Sequence, residues 1–354
     1  MSAIETLAPP RAPVARRAVA RRRSAVRARG IRVGLLLAVL VFAAFAISVS
    51  VGDFPIPLPD VVPAMLGFGD DGAVFVAWEL RLPRALTALL VGAAFGVSGA
   101  LFQAVARNPL ASPDVLGIMA GASLTAVFAI VVMEVTFVVT AVAAFGGALA
   151  ITALIYALAH RNGVSSYRFV LVGIGLGAVA TALTQYVITR AQLYEAAEAM
   201  IWLTGSLNAS SWGTIVPLAI AVGVLLPAAI VPARHLRALQ LGDDSARGLG
   251  VHVERSRLGI LLVAVALAGV GTAAAGPLAF VALLAAPIAR RLTRAPLTLV
   301  PAALTGALIV LVADLLGRRL FAPAELPAGI FTGLCGAPYF LSLLARANRL
   351  GRGG

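Results

Sequence analysis

The stretch VGLLLAVLVFAAFAISVSV, Val33–Val51, decides the fold class. It is an uncharged apolar run that, as a helix, would extend about 28 Å, close to the roughly 30 Å of a bilayer's hydrocarbon core. Ahead of it, residues 1–32 carry nine arginines with Pro9, Pro10 and Pro13. Such a polar segment cannot bury enough apolar surface to fold alone, so a disordered tail is expected there. A cleaved secretory leader has an apolar core of about 7–15 residues. Val33–Val51 exceeds that, and it is read as a retained first span. The arginines are scattered, which disfavours a twin-arginine signal.

Working outward, the rest of the chain repeats the pattern. Of 354 residues, 60% are hydrophobic and only 12% charged, against about 25% charged in soluble domains. A mean hydropathy of +0.98 excludes a soluble globule. Turn and charge signals divide the apolar sequence into nine further segments. These are Arg84–Ala106, Val115–Met133, Val135–Ala159, Phe169–Thr189, Ile215–Val231, Leu258–Ala275, a short one from Gly276-Pro277 to Ala289, Leu297–Leu316 and Leu326–Leu344. Backbone in lipid must satisfy its own hydrogen bonds, so helices are expected. The fold class is an all-α polytopic membrane protein with about ten spans, one transmembrane domain over 33–345 and a short tail at 346–354. Two sets of five would give halves of opposite orientation.

The net charge of +13 comes entirely from arginine, since no lysine occurs. With a cytoplasmic N-terminus and alternating spans, 23 of the 28 arginines fall on the cytoplasmic side. Only Arg81, Arg84, Arg190, Arg318 and Arg319 fall outside. This is the positive-inside bias. The basic excess therefore marks topology, with both termini cytoplasmic, and is not a nucleic-acid footprint.

Several chemistries have no material here. Cys335 is the sole cysteine and there are three histidines, so neither a disulfide nor a metal centre is expected. Asp314 is the ionisable residue nearest a span interior, which disfavours a proton-relay carrier. No GxSxG elbow, HExxH pair or GxxxxGK[ST] phosphate loop occurs, so no enzyme is read and ATP hydrolysis would belong to another chain. Gly92, Gly96 and Gly99, and again Gly173, Gly175 and Gly177, have the small-residue spacing that lets helices approach closely.

Four runs carry a resemblance: Arg81-Leu-Pro-Arg84 with Gly99-Ala-Leu-Phe-Gln103; Arg107-Asn-Pro-Leu-Ala-Ser-Pro-Asp-Val-Leu-Gly117; Leu241-Gly-Asp-Asp-Ser-Ala-Arg-Gly-Leu-Gly-Val251; and Pro323-Ala-Glu-Leu-Pro-Ala-Gly329 with Gly336-Ala-Pro338. With Gly276-Pro-Leu-Ala-Phe280 and Ile288-Ala-Arg290, they resemble the iron-siderophore and vitamin B12 permease family over about residues 33–345. The resemblance implies the fold of the vitamin B12 permease, a type II ATP-binding-cassette importer.

It also implies partners: a second permease subunit (self or sister), two cytoplasmic ATPases and an extracytoplasmic substrate-binding protein. No cofactor is implied. Segment 238–253 would couple to the ATPase through Leu241, Gly242, Asp243, Ala246, Arg247, Gly248, Leu249, Gly250 and Val251. Ala246, Arg247, Leu249 and Val251 would form its contact face, and Asp243 and Asp244 would cap its helix. Arg81, Arg84 and Arg318 would receive carboxylates of the binding protein, a task suited to the planar guanidinium fork. Asn108, Pro109 and Leu110, with Ser165 and Ser166, would form a gate at the cytoplasmic end of the path.

The family's usual Pro-His or Pro-Gln before Ile-Ala-Arg is replaced by Ala286-Pro287. Arg290-Arg-Leu-Thr-Arg294 and Trp202-Leu-Thr-Gly-Ser-Leu-Asn208 look most like ferric-enterobactin permeases, so a catecholate cargo is expected. Vitamin B12 or haem import, or an ATP-independent carrier, are the alternatives.

Overall fold

A computed structural model describes the backbone of residues 12–54, 56–160 and 166–351, and most of their side chains. It is helical throughout, in the order α1 (Ala12–Ser50), α2 (Leu58–Met65), α3 (Asp71–Phe75), α4 (Leu82–Ala106), α5 (Ile118–Val131), α6 (Phe137–Ala159) and α7 (Ser166–Arg190). There follow α8 (Leu193–Thr204), α9 (Trp212–Leu239), α10 (Asp243–Gly248), α11 (Val253–Ala275), α12 (Val281–Thr293), α13 (Leu299–Arg319) and α14 (Ala328–Gly351). Each of the ten segments read as spans holds one of these helices. Seven are long and apolar enough to cross a membrane; α5 and α14 are shorter apolar helices, and α12 has 13 residues.

The tail expected to be disordered is different within the described residues. From Ala12 the backbone is helical and runs unbroken into the first span. Alanine and arginine are strong helix formers, and Pro13 sits in the first turn where no N–H is required. At the other end α14 continues past residue 345 to Gly351. The sequence reading also passed over α8, a helix begun by a reciprocal cap between Gln192 and Glu195.

The second span begins earlier than Arg84. A π-helical stretch, Val76–Arg81, joins α3 to α4 in one 36-residue helix. Pro83 lacks the N–H that would bond the Glu79 carbonyl, and the wider π turns lie just before it.

α4 is the centre of the bundle, with 83% of its apolar window buried. It packs against α13, α11, α12 and α9, while α5, α6 and α7 form a second group joined to it through α11. The expected glycine packing holds along α4. A β-carbon on Gly92 would overlap the Gly306 backbone of α13, and one on Gly99 would overlap Ala282 of α12. Gly175, by contrast, faces open space.

Two helices start inside the bundle. At 14 and 13 residues, α5 and α12 extend only about 20 Å and cannot cross the hydrocarbon alone. Of their entry loops, 107–117 and 276–280, the inner stretches 111–114 and 276–280 are irregular backbone largely enclosed by protein, the setting in which such backbone is tolerated at membrane depth, while Asn108 and Pro109 stay exposed.

Charge separates to the two ends. Arg29, Arg107, Arg257 and Arg290 make their bonds at the end holding Asp243. Arg81, Arg84, Arg318 and Arg319 make theirs at the end holding Asp314. The alternation inferred from arginine counts requires this sorting.

Candidate functional site

At the Asp243 end, the short helix α10 stands between two positive-φ glycines, Gly242 (φ 109°) and Gly250 (φ 79°). Ala246 is its fully buried anchor, while Leu241, Arg247 and Leu249 are exposed. The contact face expected from Ala246, Arg247, Leu249 and Val251 is therefore narrower, because Ala246 points into the core and Val251 is half-buried against it. The expected capping by aspartate is also corrected. Gly242 is the N-cap and no side chain caps it. Asp244 instead pairs with Arg247 one turn on, at 3.0 Å.

Asp243 is drawn elsewhere. Its Oδ1 accepts from Arg107 at 2.7 Å, and both its oxygens accept from Arg257, at 3.1 and 3.2 Å. Burial alone would raise the Asp243 carboxyl. Arg257 and Arg107 outweigh it and hold the group below the usual carboxylate range.

Arg107 also donates to the Leu239 carbonyl at the end of α9. It adopts a left-handed conformation (φ 51°) at the C-cap of α4. The next residues form a tight turn, in which Asn108 Oδ1 accepts from the Leu110 amide at 2.9 Å and Asn108 and Pro109 are exposed. Ser165 lies outside the described residues, as does the side chain of Ser166.

Farther in, the two entry loops meet. Asp114 Oδ2 accepts from the Phe280 amide at 3.3 Å, where Phe280 is held at φ 65° ahead of α12. One turn before Arg107, Gln103 Nε2 donates to the Leu283 carbonyl at 3.1 Å and its Oε1 accepts from Arg290 at 2.6 Å. In the sequence, Gln103 and Asp114 stand out only as members of the two runs 99–103 and 107–117. A polar residue in an otherwise apolar helix was the available signal.

At the Asp314 end, Asp314 is buried and receives Arg84 at 2.9 Å and Arg318 at 3.1 Å. Arg84 also reaches Glu325 at 3.1 Å. Arg81 is buried, and its guanidinium donates to the carbonyls of Val49, Ser50 and Phe54. Arg81, Arg84, Arg318 and Arg319 line a single cavity of about 390 Å³ with Asp53 and Glu325. The fold thus brings together the three arginines read as docking residues. It also engages each of them within the chain, which spacing alone could not reveal.

The architecture is thus one of half-helices entering a bundle, with one linked charge cluster at each end. The model of the FecCD transport family matches residues 38–346. The chain belongs to the FecCD transport family. It is a multi-span permease subunit, a transport component and not an enzyme. Among its relatives, the ferric enterobactin transport system permease protein FepG of Escherichia coli is 43% identical over 82% of this chain and 88% of that protein. The achromobactin transport system permease protein CbrC of Dickeya dadantii is 42% identical over 89% of this chain and 91% of that protein. The Fe(3+) dicitrate permease FecD of E. coli is 42% identical over 77% and 86%. A solved structure described as an inward-facing conformation of a metal-chelate type ABC transporter aligns with a TM-score of 0.78. It is 25% identical and covers 89% of this chain and 99% of that one. FecCD membership fits a place in a cytoplasmic membrane.

Proposed function

We propose that this FecCD permease imports a ferric siderophore of the catecholate type. The 43% identity to a ferric enterobactin permease over most of both chains carries that reading. Both termini and the Asp243 end lie on the cytoplasmic side, where most of the arginines fall. Segment 238–253 docks on one of two ATPases, with Leu241, Arg247 and Leu249 as its exposed contacts and Gly242, Gly248 and Gly250 as its flexible points. Asn108, Pro109 and Leu110, with Ser165 and Ser166, close the inner end of a path shared with a second permease subunit. Nucleotide binding shifts the population between inward- and outward-open states.

The arginine cavity faces the binding protein. Arg81, Arg84 and Arg318 form its wall, and exposed Asp53 and Glu325 its rim. The Arg81→Glu/Arg84→Glu double variant should weaken binding-protein affinity; equal affinity would mark these arginines as internal braces alone.

The test of cargo is ATP-driven uptake into vesicles holding the reconstituted complex. Ferric enterobactin, ferric dicitrate and a ferric hydroxamate would be compared. Preference for the catecholate supports the reading, and preference for either other chelate replaces it. Uptake driven by an ion gradient without ATPase would make the chain a secondary carrier. In the same vesicles, Arg247→Glu should cut uptake while the protein remains inserted.

A further inference from the structure

We infer that Arg107 is the positioning residue through which the coupling helix α10 sets the gate turn, acting on the carboxylate of Asp243. This rests on the permease reading above. One carboxylate here joins three elements: Asp243 at the start of α10 meets Arg257 in the following helix α11 and Arg107, 136 residues away, beside the gate turn. The three links differ in rigidity. Arg257 is only 10% exposed at its side chain and belongs to a helix packed in the core. Arg107 is 43% exposed and sits on a connector. Asp243 thus has one fixed partner and one that is free to follow it.

α10 is built to move as a short lever. Its flanking glycines, both with positive φ, have open space where a side chain would stand. Ala246 is its sole buried residue, so little apolar area resists displacement. On the other side, the left-handed Arg107 leads directly into the turn that Asn108 closes on Leu110. A shift of Asp243 that breaks its Arg257 pair would pull on the Arg107 guanidinium, whose second bond to the Leu239 carbonyl limits how far the side chain alone can follow, so the pull passes to the Arg107 backbone and with it Asn108-Pro109. The bond from Arg107 to the Leu239 carbonyl also ties the last turn of α9 to the same guanidinium. As a stability device the pair has little value, since half-exposed ion pairs contribute weakly. Its geometry suits transmission, a two-state link biased from one end.

The experiment needs no knowledge of the cargo. A Leu110→Cys reporter in a Cys335→Ser background is reconstituted with the ATPase partner. Maleimide labelling is then measured with and without ATP, beside the ATPase rate. The parent should show an ATP-dependent change in labelling. In Arg107→Gln that change should shrink by about tenfold while hydrolysis and melting temperature persist, and Arg107→Lys should recover part of it. The double variant Arg107→Gln/Asp243→Asn should be no worse than Asp243→Asn alone, because Asp243→Asn already removes the Arg107 link along with the Arg257 pair. Additive losses, or an undiminished ATP response in Arg107→Gln, would overturn the link. A parent whose labelling ignores ATP despite active hydrolysis would overturn the gate assignment itself, and the link with it. Failure to bind any ATPase would instead strike at the permease reading.

Discussion

Gln103 supplies to the Leu283 carbonyl the donor that Pro287 withholds. In a helix the amide of residue 287 would bond the carbonyl of residue 283, and proline has no amide hydrogen. Gln103 Nε2 fills the vacancy from the neighbouring helix at 3.1 Å, while its Oε1 receives Arg290 from one turn further along α12. The departure at Ala286-Pro287 is therefore accommodated by a side chain on α4.

Gln103→Leu should destabilise the protein by about 1–3 kcal/mol, because it leaves a buried carbonyl and part of a guanidinium unpaired. Adding Pro287→Ala should recover a good part of that, since the backbone then supplies its own donor. Thermal unfolding of the single and double variants in detergent checks this. Equal losses in both backgrounds would show that Gln103 serves only Arg290.

Asp314 is the point on which Arg84 and Arg318 converge. Asp314→Ala removes the buried carboxylate from two largely buried guanidiniums, leaving Arg84 only Glu325 and Arg318 only Ser48, and should cost about 3 kcal/mol, the lower end of the range for breaking a buried pair by removing one partner. Asp53, which meets Arg319 but is 96% exposed, provides the contrast. Asp53→Ala should leave the unfolding temperature unchanged within error. Comparable effects of the two substitutions would mean that the arginine network is not held through Asp314.

The depressed Asp243 carboxyl gives a pH window. A group whose folded pKa lies below its unfolded value, near 3.9, contributes stability above that value and loses it as pH falls through the folded one. The Arg107 and Arg257 pairs should therefore persist from neutral pH down to about pH 4 and fail only below it. Exposure screens the energy, so the readout is local. Protection of the backbone amides over Asp243–Gly248, corrected for the intrinsic pH dependence of exchange, should stay constant across that range and fall, giving faster exchange than the intrinsic trend, in more acidic buffer. Asp243→Asn should show the faster exchange already at neutral pH.

Glycines of one composition have two different duties. Gly92→Ala pushes a methyl group into the Gly306 backbone and should destabilise the α4–α13 contact by about 1–3 kcal/mol, the usual cost of overpacking. Gly175→Ala meets open space and should leave the isolated subunit as stable as before. Any loss it causes in the assembled transporter would place Gly175 against a partner subunit. Unfolding of each variant, alone and in complex, separates the cases.

Much of the fold was legible because the bilayer imposes two coarse rules, long apolar runs and arginine asymmetry, and both are written directly in the letters. Val33–Val51 and its counterparts therefore mapped onto helices. The helical course of residues 12–32 was hidden by a composition that reads as solvated tail, and α8 by a short polar-edged stretch. At the sites, sequence alone singled out the turn Asn108-Pro109-Leu110 and the exposed residues of 241–251, since proline, glycine and polarity mark them locally. It could not show that Asp243 turns toward Arg107 and Arg257, that Arg81 spends its donors on backbone carbonyls, or that Gln103 completes α12. Those partners lie from 14 to 180 residues apart along the chain. Only the packing of α4 against α9 and α12, of α10 against α11, and of the 76–81 stretch against α1 brings them within hydrogen-bond range, and at that range a donor with several acceptors is assigned by geometry.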